Sequence, residues 1–244
     1  MEVKYKEFEI LKFEDFISQL KKYTLKDQDK TIRIYRGHQE SNWLLLPKIG
    51  RREYLKPSFL ENELECLEEF KRMAIQHNSD IKNYSSWDLL ALAQHHGFPT
   101  RLLDWTSNPL AALWFAFYNE NNITGKRCIW GLLANNKSLA ADFNKEAFFQ
   151  TRTVVFRPNH VTIRITAQNG WFTNHQYLNE NHPFNPLEEQ NGYEIKLAKF
   201  IFDNKMRIEI LKTIDILGIN QYTLFPDLDG LVSYLKWNRF NRDN

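Results

Sequence analysis

Cysteine is scarce in this chain, and its scarcity argues against one class of site. Two cysteines occur among 244 residues, Cys66 and Cys128, and neither has a partner at CxxC spacing. A thiol metal centre is therefore not expected. No HExxH pair occurs either, so the sequence predicts no metal site. The few cysteines suit a reducing compartment, and we expect a cytoplasmic protein.

Long apolar runs and glycine-rich motifs are also missing. The longest apolar run, residues 110–118, is too short to span a bilayer, and the N-terminus MEVKYKEFEI has no apolar signal core. No Gly-rich phosphate loop, GxSxG motif or kinase signature set occurs, which disfavours those enzyme classes. A net charge of +2 gives no electrostatic case for a nucleic-acid or membrane surface. We expect no membrane partner.

What the chain does contain is a clear set of periodic segments, with 43 % hydrophobic and 14 % aromatic residues. Hydrophobic periodicity predicts helices over residues 13–23, 57–77, 86–96, 110–118, from Asn204 onward, and 227–240. Strands are predicted over 31–35, 128–134, 151–156, 160–166 and 195–202. The order predicts an α+β fold, with a helical N-terminal half packed on a mostly antiparallel sheet.

The helix over residues 110–118 is apolar nearly all round. A helix without a polar face must be buried, so we expect Leu113, Trp114 and Phe115 to lie largely in the core. Asn108 and Pro109 occupy the positions preferred at a helix start.

Residues 90–116, LALAQHHGFPTRLLDWTSNPLAALWFA, place several polar side chains between two apolar helices. Buried polar groups are costly unless they are paired. Two interpretations stay open. In the first, the side chains have structural roles: Arg101 pairs with Asp104, and Thr106 and Asn108 cap the next helix. In the second, the same side chains form a functional site.

Two adjacent histidines, His95 and His96, lie in the same stretch. Neighbouring residues on a helix point about 100° apart, so they make an awkward pair of ligands for one metal ion. We expect one of them to hydrogen-bond within the core and the other to face a pocket.

Tyr35-Arg36-Gly37 ends a predicted strand. The planar fork of an arginine can bind a phosphate or carboxylate at two points, and a neighbouring glycine lets a ligand approach the backbone. The alternative is a strand-end turn with a salt-bridged arginine. Further along, residues 164–172 are interpreted as strand, Asn169-Gly170 turn and strand, with Arg164, Thr166 and Gln168 on one polar face.

Four segments together resemble the FRG-domain family, which is named for an aromatic-Arg-Gly motif. They are Tyr35-Arg36-Gly37, residues 92–116 with the sequence PTRLLDWT followed by NPLAAL, residues 164–172, and residues 224–231. The resemblance implies a single FRG-like domain over residues 1–244, with its core over about 32–235. The family occurs in microbial proteins, some of them encoded near phage-defence or mobile genes, which implies a defence or toxin context.

A weaker similarity links the chain to mono-ADP-ribosyltransferases. These enzymes often have an arginine at the end of a first strand, then a small-hydroxyl motif before an Ala-rich helix, then a catalytic glutamate on a later strand. Arg36 matches the first element and Thr106-Ser107 the second. The third position offers Gln168, which can hydrogen-bond a ribose but has no negative charge.

This similarity implies an ADP-ribosyltransferase-like fold and an NAD site. Arg36 would hold the pyrophosphate and Thr106 or Ser107 the nicotinamide ribose, while Tyr35 or Trp105 would stack on the nicotinamide. Gln168 or Asp104 would polarise the ribose. The remaining residues assigned to nucleotide binding are Gly37, His96 and Arg101.

Two functions follow as hypotheses. In the first, an NAD-using enzyme transfers ADP-ribose to a protein or nucleic-acid acceptor, or hydrolyses NAD. In the second, a non-catalytic domain of a defence or toxin system senses a nucleotide or a partner. Both need Arg36 and residues 101–106, distant in sequence, to meet in one pocket.

Overall fold

The computed structural model describes residues 5–24, 31–55, 58–119, 125–135, 142–159, 162–190 and 195–241. The strands in these ranges are β1 (Lys6–Ile10), β2 (Thr31–His38), β3 (Leu102–Thr106), β4 (Lys126–Asn135), β5 (Val154–Phe156), β6 (Gly170–Asn174) and β7 (Ile195–Asp203). The α-helices, numbered within the same ranges, are α1 (Phe13–Thr24), α2 (Phe59–Ala74), α3 (Ser86–His95), α4 (Pro109–Phe117), α5 (Ile163–Ala167), α6 (Arg207–Ile216), α7 (Gln221–Leu224) and α8 (Leu228–Lys236).

The strands form one sheet in the order β1-β7-β4-β2-β3-β6-β5. β1 pairs with β7 in parallel, and the other neighbouring strands pair antiparallel. Helices dominate the first half of the chain, as predicted. The α+β fold with a mostly antiparallel sheet is therefore confirmed.

One face of the sheet is covered by α1, α4 and α6. Their apolar side chains meet those of β7 in a cluster that includes Phe16, Phe117, Phe200 and Ile210. Within α4, Leu113 and Trp114 are buried and Phe115 is partly buried, as the absence of a polar face predicted. The opposite face carries a second cluster centred on Trp130. No helix in the described ranges is long and apolar enough to cross a membrane.

Two of the predicted helix starts, those of α3 and α4, are confirmed by side-chain caps. Ser85 accepts a hydrogen bond from the backbone of Asp88 at the start of α3. Asn108 accepts one from Leu110 at the start of α4, with Pro109 in the first turn. These contacts satisfy backbone donors that a helix start leaves without a partner.

The predicted strand over residues 160–166 is wrong, since residues 163–167 form helix α5. Thr162 caps this helix by accepting a hydrogen bond from Ile165. Asn169 then adopts a left-handed conformation with φ of 48°, and β6 begins at Gly170. Asn169-Gly170 therefore joins a helix to a strand and does not form a hairpin. The β-branched residues that suggested a strand are overridden by the cap and by packing.

Strand β3 was missed altogether. Its five residues follow α3 closely and are buried on both faces, apart from Asp104. A short strand between two helices has no clear alternation to reveal it, because side chains buried on both faces give no period of two. Because β3 lies within residues 90–116, the segment rich in polar side chains contributes a strand to the sheet.

Candidate functional site

A cleft opens where two neighbouring strands separate. β2 pairs with β4 from Thr31 to His38, but with β3 only through Tyr35 and Thr106. Past that pair, toward the carboxyl end of β2, a cavity of about 380 Å³ lies between the strands. Both Arg36 and Asp104 line it.

Arg36 reaches across the gap between the strands. Its Nη1 donates a hydrogen bond to the carbonyl oxygen of Asp104 at 2.6 Å and lies 3.5 Å from the Asp104 carboxylate. Its side chain is only 18 % exposed. Burial lowers the pKa of Arg36, and the charge of Asp104 opposes that shift. The expected meeting of Arg36 with residues 101–106 is therefore confirmed.

His38 supports Arg36 from the same strand. Arg36 Nε donates to His38 Nε2 at 3.1 Å, which requires that nitrogen to be unprotonated. Burial, and next the charge of Arg36, hold the pKa of His38 well below its usual value. His38 is thus a neutral acceptor that helps to fix the direction of the guanidinium.

A chain of hydrogen bonds orients Asp104. The Thr100 hydroxyl donates to Gln94 Oε1 at 2.7 Å, which fixes the Gln94 amide so that its Nε2 donates to Asp104 Oδ2 at 2.9 Å. The Asp104 side chain remains 55 % exposed. The cavity therefore contains an ionisable carboxylate that is held in place but still open to a ligand.

His95, and not His96, faces this cavity. His95 lines it and lies 3.5 Å from the Thr162 hydroxyl, and burial lowers the pKa of its ring. His96 follows the last residue of α3 and is exposed outside the cavity. The rings of His95 and His96 are in edge-to-face contact, with centroids 5.0 Å apart, but only His95 lines the cavity, so the assignment of His96 to ligand binding is corrected.

Thr106 and Gln168 lie together at the base of the cavity. The Thr106 hydroxyl donates to the Gln168 carbonyl at 2.6 Å and accepts from the Asn108 backbone at 3.0 Å. Gln168 Nε2 donates to the carbonyl of Leu224 at 3.2 Å. Gln168 follows a helix and does not lie on a strand as predicted. Both side chains line the cavity while holding three separate parts of the chain together.

The aromatic side chains chosen from the sequence for stacking are buried. Tyr35 is buried in the apolar core, and burial raises the pKa of its hydroxyl to about 12. The Trp105 indole is buried as well and donates to Thr173 at 3.1 Å. Both residues border the cavity but offer no open ring face to a ligand, so the prediction that either one stacks on nicotinamide is wrong.

Gly37 has a structural reason to be glycine. A Cβ atom at this position would lie 2.1 Å from the Ala112 carbonyl oxygen and 2.6 Å from the Ala116 nitrogen. The backbone of α4 therefore passes directly over β2. The sequence predicts that Gly37 lets a ligand approach the backbone, whereas in the structure helix α4 makes this close approach.

Arg101 and Ser107 take no part in the cavity wall. Arg101 is 1 % exposed and forms a bidentate ion pair with Glu63, and its Nη1 donates to the Phe148 carbonyl. This overturns both its assignment to nucleotide binding and the alternative pair with Asp104. Ser107 is exposed outside the cavity, and its backbone donates to Asn169.

Several cavity residues were not found from the sequence. They are Trp43, Leu44 and Arg51 in the segment after β2, Gln94 in α3, Phe115 and Tyr118 at α4, and Phe225 before α8. Gln94, Phe115 and Phe225 lie in segments that the sequence singled out, but neither these residues nor the others were selected as site residues, because only the fold brings the separate segments together.

The described residues hold no cluster of three or more His, Cys, Asp or Glu side chains that could bind a metal ion. The cation of the site is instead supplied by arginine. Arg36 and Arg51 both line the cavity, as does Arg164, whose guanidinium pairs with Asp227 at 2.5 Å.

Comparison with known proteins gives a match for residues 31–124, most of which lie in the N-terminal half of the chain. The family model for the FRG domain matches residues 31–124, a range that includes Arg36 and Asp104 but ends before Gln168. No curated protein and no solved structure matches the chain. The similarity to ADP-ribosyltransferases therefore has no support from these comparisons. Residues 31–124, which contain the aromatic-Arg-Gly strand, the segment leading to Asp104 and the apolar helix after it, are thus similar to the FRG domain.

Proposed function

We propose that the cavity between β2 and β3 binds a nucleotide, and that NAD is the nucleotide on which it acts. The contact of Arg36 with Asp104 supports this most directly, since it sets a cation suited to phosphate beside an open carboxylate. The volume of about 380 Å³ lies in the range of roughly 300–1,000 Å³ that small-molecule sites occupy.

The proposed reaction breaks the bond between C1′ of the ribose and the nicotinamide nitrogen. The electron pair of that bond leaves with nicotinamide, and positive charge develops on the ribosyl ring. Asp104, held by Gln94, would face this charge and stabilise it. The sequence suggested Gln168 or Asp104 for this role, and the hydrogen bond from Gln168 to Leu224 favours Asp104.

A nucleophile then forms the new bond to C1′ and loses a proton. His95 lines the cavity and has a lowered pKa, so its ring is neutral at pH 7 and can accept that proton. Water as nucleophile gives ADP-ribose, and a protein or nucleic-acid acceptor gives an ADP-ribosylated product. Either outcome suits an effector of a microbial defence or toxin system, which is the role we propose.

A second candidate function is nucleotide sensing without catalysis. One observation favours it: the Thr106 hydroxyl and the Gln168 amide already make hydrogen bonds within the protein, so neither is free to act on a ribose without rearrangement. In this alternative the cavity binds the same class of ligand, and the outcome of binding is a change in a partner interaction.

Nicotinamide release separates the two functions. The purified chain is incubated with NAD, free nicotinamide is measured by chromatography, and NAD binding is measured by calorimetry. We expect Asp104→Asn to lower the release rate by about 100-fold or more while NAD still binds, because one preorganised electrostatic contact contributes on that order. Asp229→Asn, an exposed acid of α8 outside the cavity, is the matched control.

The possible results are distinct. NAD binding without nicotinamide release would select the sensor function. Absence of nucleotide binding by the parent chain would overturn both functions.

A further inference from the structure

The cleft has two walls that lie on opposite faces of β2. Along a strand, successive side chains point to opposite faces of the sheet. Gly37 faces α4, as its contact with Ala112 shows, while His38 lies on the other face, where its ring centroid is 6.1 Å from that of Trp43. Because β3 leaves β2 after one residue pair, both faces open into the same cavity.

The first wall is formed by the segment after β2. Trp43 and Leu44 are adjacent apolar residues that line the cavity and are each 50 % exposed. Arg51 lines the same cavity, is exposed, and forms no ion pair within the part of the chain that the structure describes. This wall therefore offers a half-exposed indole and, on the same cavity, a guanidinium that has no counter-ion among the described residues.

The second wall lies on the α4 face. Phe115 and Phe225 line it, with ring centroids 6.2 Å apart. Tyr118 also lines it, stacked on Trp114 at 4.5 Å. The guanidinium of Arg164 lies 5.3 Å from the Phe225 ring and is neutralised by Asp227. This wall is also aromatic, but its cation already has a partner.

The charges indicate where an anion belongs. Arg36 and Arg51 face one cavity, and the positive charge of Arg51 adds to the burial that lowers the pKa of Arg36. Asp104 offsets one of these two charges. Placing two guanidinium groups in one partly dehydrated cleft is unfavourable unless an anion lies between them.

We propose that the cleft is built for a ligand with two ring systems joined through a diphosphate, that is, a dinucleotide. One ring lies against Trp43, the other lies among Phe115, Phe225 and Tyr118, and the diphosphate lies between Arg36 and Arg51. Arg51 and Trp43 are then specificity residues that distinguish a dinucleotide from either mononucleotide half. The inference rests on the proposed NAD binding and deepens it by assigning each ring system of the dinucleotide to one wall and by adding Arg51 and Trp43 as specificity residues.

Competition binding with NAD, AMP and nicotinamide mononucleotide tests this inference. The full chain should bind NAD at least tenfold more tightly than either half. Arg51→Gln should weaken NAD binding by about tenfold or more, because it removes a charge-assisted phosphate contact. Lys48→Gln is the matched control, since Lys48 belongs to the same segment but points to the Gly97 carbonyl outside the cavity.

The two walls are tested separately with Trp43→Leu and Phe115→Leu. Each should weaken NAD binding about tenfold, and each should weaken binding of a different mononucleotide half. The inference is overturned if NAD binds no more tightly than AMP, if Arg51→Gln behaves like Lys48→Gln, or if both wall variants affect the same half. In those cases nucleotide binding itself stands, whereas failure of the parent chain to bind any of the three ligands removes the proposed function as well.

Discussion

At the scale of single residues, the clearest feature is a charged pair in the core. Arg101 and Glu63 are both almost fully buried, and the Arg101 guanidinium also lies 4.6 Å from the Phe148 ring. Taking two charges out of water is costly, and the pair persists because each charge has several partners. A residue that the sequence offered as a ligand contact is thus part of the scaffold that joins α2 to β3.

Removing one partner of this pair should destabilise the fold strongly. Glu63→Gln leaves the buried Arg101 without its counter-charge, and we expect the free energy of unfolding to fall by about 3–5 kcal/mol in urea denaturation. Glu69→Gln is the control on the same helix, where an exposed pair with Arg72 should contribute less than about 1 kcal/mol. Equal effects of the two substitutions would contradict the structural role assigned to Arg101.

At the scale of elements, the site depends on how closely α4 packs on β2. The helix passes over Gly37, and two small residues of α4, Ala112 and Ala116, supply the facing backbone. This close packing fixes the position of Arg36, the neighbour of Gly37, and of Phe115 on the helix. The glycine of the aromatic-Arg-Gly motif therefore acts on the cavity through helix packing.

Gly37→Ala should disturb this contact. An added Cβ atom would meet backbone at 2.1 Å, and overpacking of this kind costs about 1–3 kcal/mol of stability or more. Gly125→Ala is the control, because its added Cβ would meet only the flexible carboxylate end of Glu40, at 2.7 Å. Thermal melting of both variants measures the difference, and an unchanged melting temperature for Gly37→Ala would refute the packing explanation.

The starts of the helices show which structural features can be predicted from a short stretch of sequence. The starts of α3 and α4 follow from Ser85 and Asn108, whose side chains satisfy the first free backbone donors of each helix. Helix α5 could not be found in this way, since a five-residue helix has too few positions to establish a period. Thr162, the residue that caps it, was a usable signal, but it lay inside a run that favoured a strand.

At the scale of the whole molecule, two buried histidines link stability to pH. Burial lowers the pKa of His175 to about 3, and His38 is lowered well below its usual value for the same main reason. The unfolded chain binds a proton at each histidine near pH 6.5, whereas the folded chain does not until the pH is much lower. Their contribution to stability is therefore complete above about pH 6.5 and is lost as the pH falls below it.

For His175 this linkage amounts to about 2 kcal/mol of stability lost between pH 7 and pH 5. The free energy of unfolding, measured by urea titration across that range, should fall less steeply in His175→Gln than in the parent chain. His77→Gln, at an exposed position, should leave the slope unchanged. A parent chain whose stability is constant from pH 7 to pH 5 would be inconsistent with a neutral buried His175.

The sequence by itself determined the α+β class, most helix positions and the burial of α4, because these depend on local periodicity and capping. It also selected Arg36 and Asp104, which do meet. Tertiary structure alone decided which polar residues face the cleft. Arg101 and Asp104 lie three residues apart, yet one is buried against Glu63 and the other is open to the cavity.

The physical reason is that exposure and pairing are set by partners far away in the chain. Asp104 is held by Gln94 and Arg36, and Arg101 is held by a glutamate 38 residues earlier. Trp43 and Arg51 reach the same cavity only because β2 and β3 separate after one residue pair. Local sequence fixes which elements form, and the packing between those elements fixes which of their side chains remain free to bind.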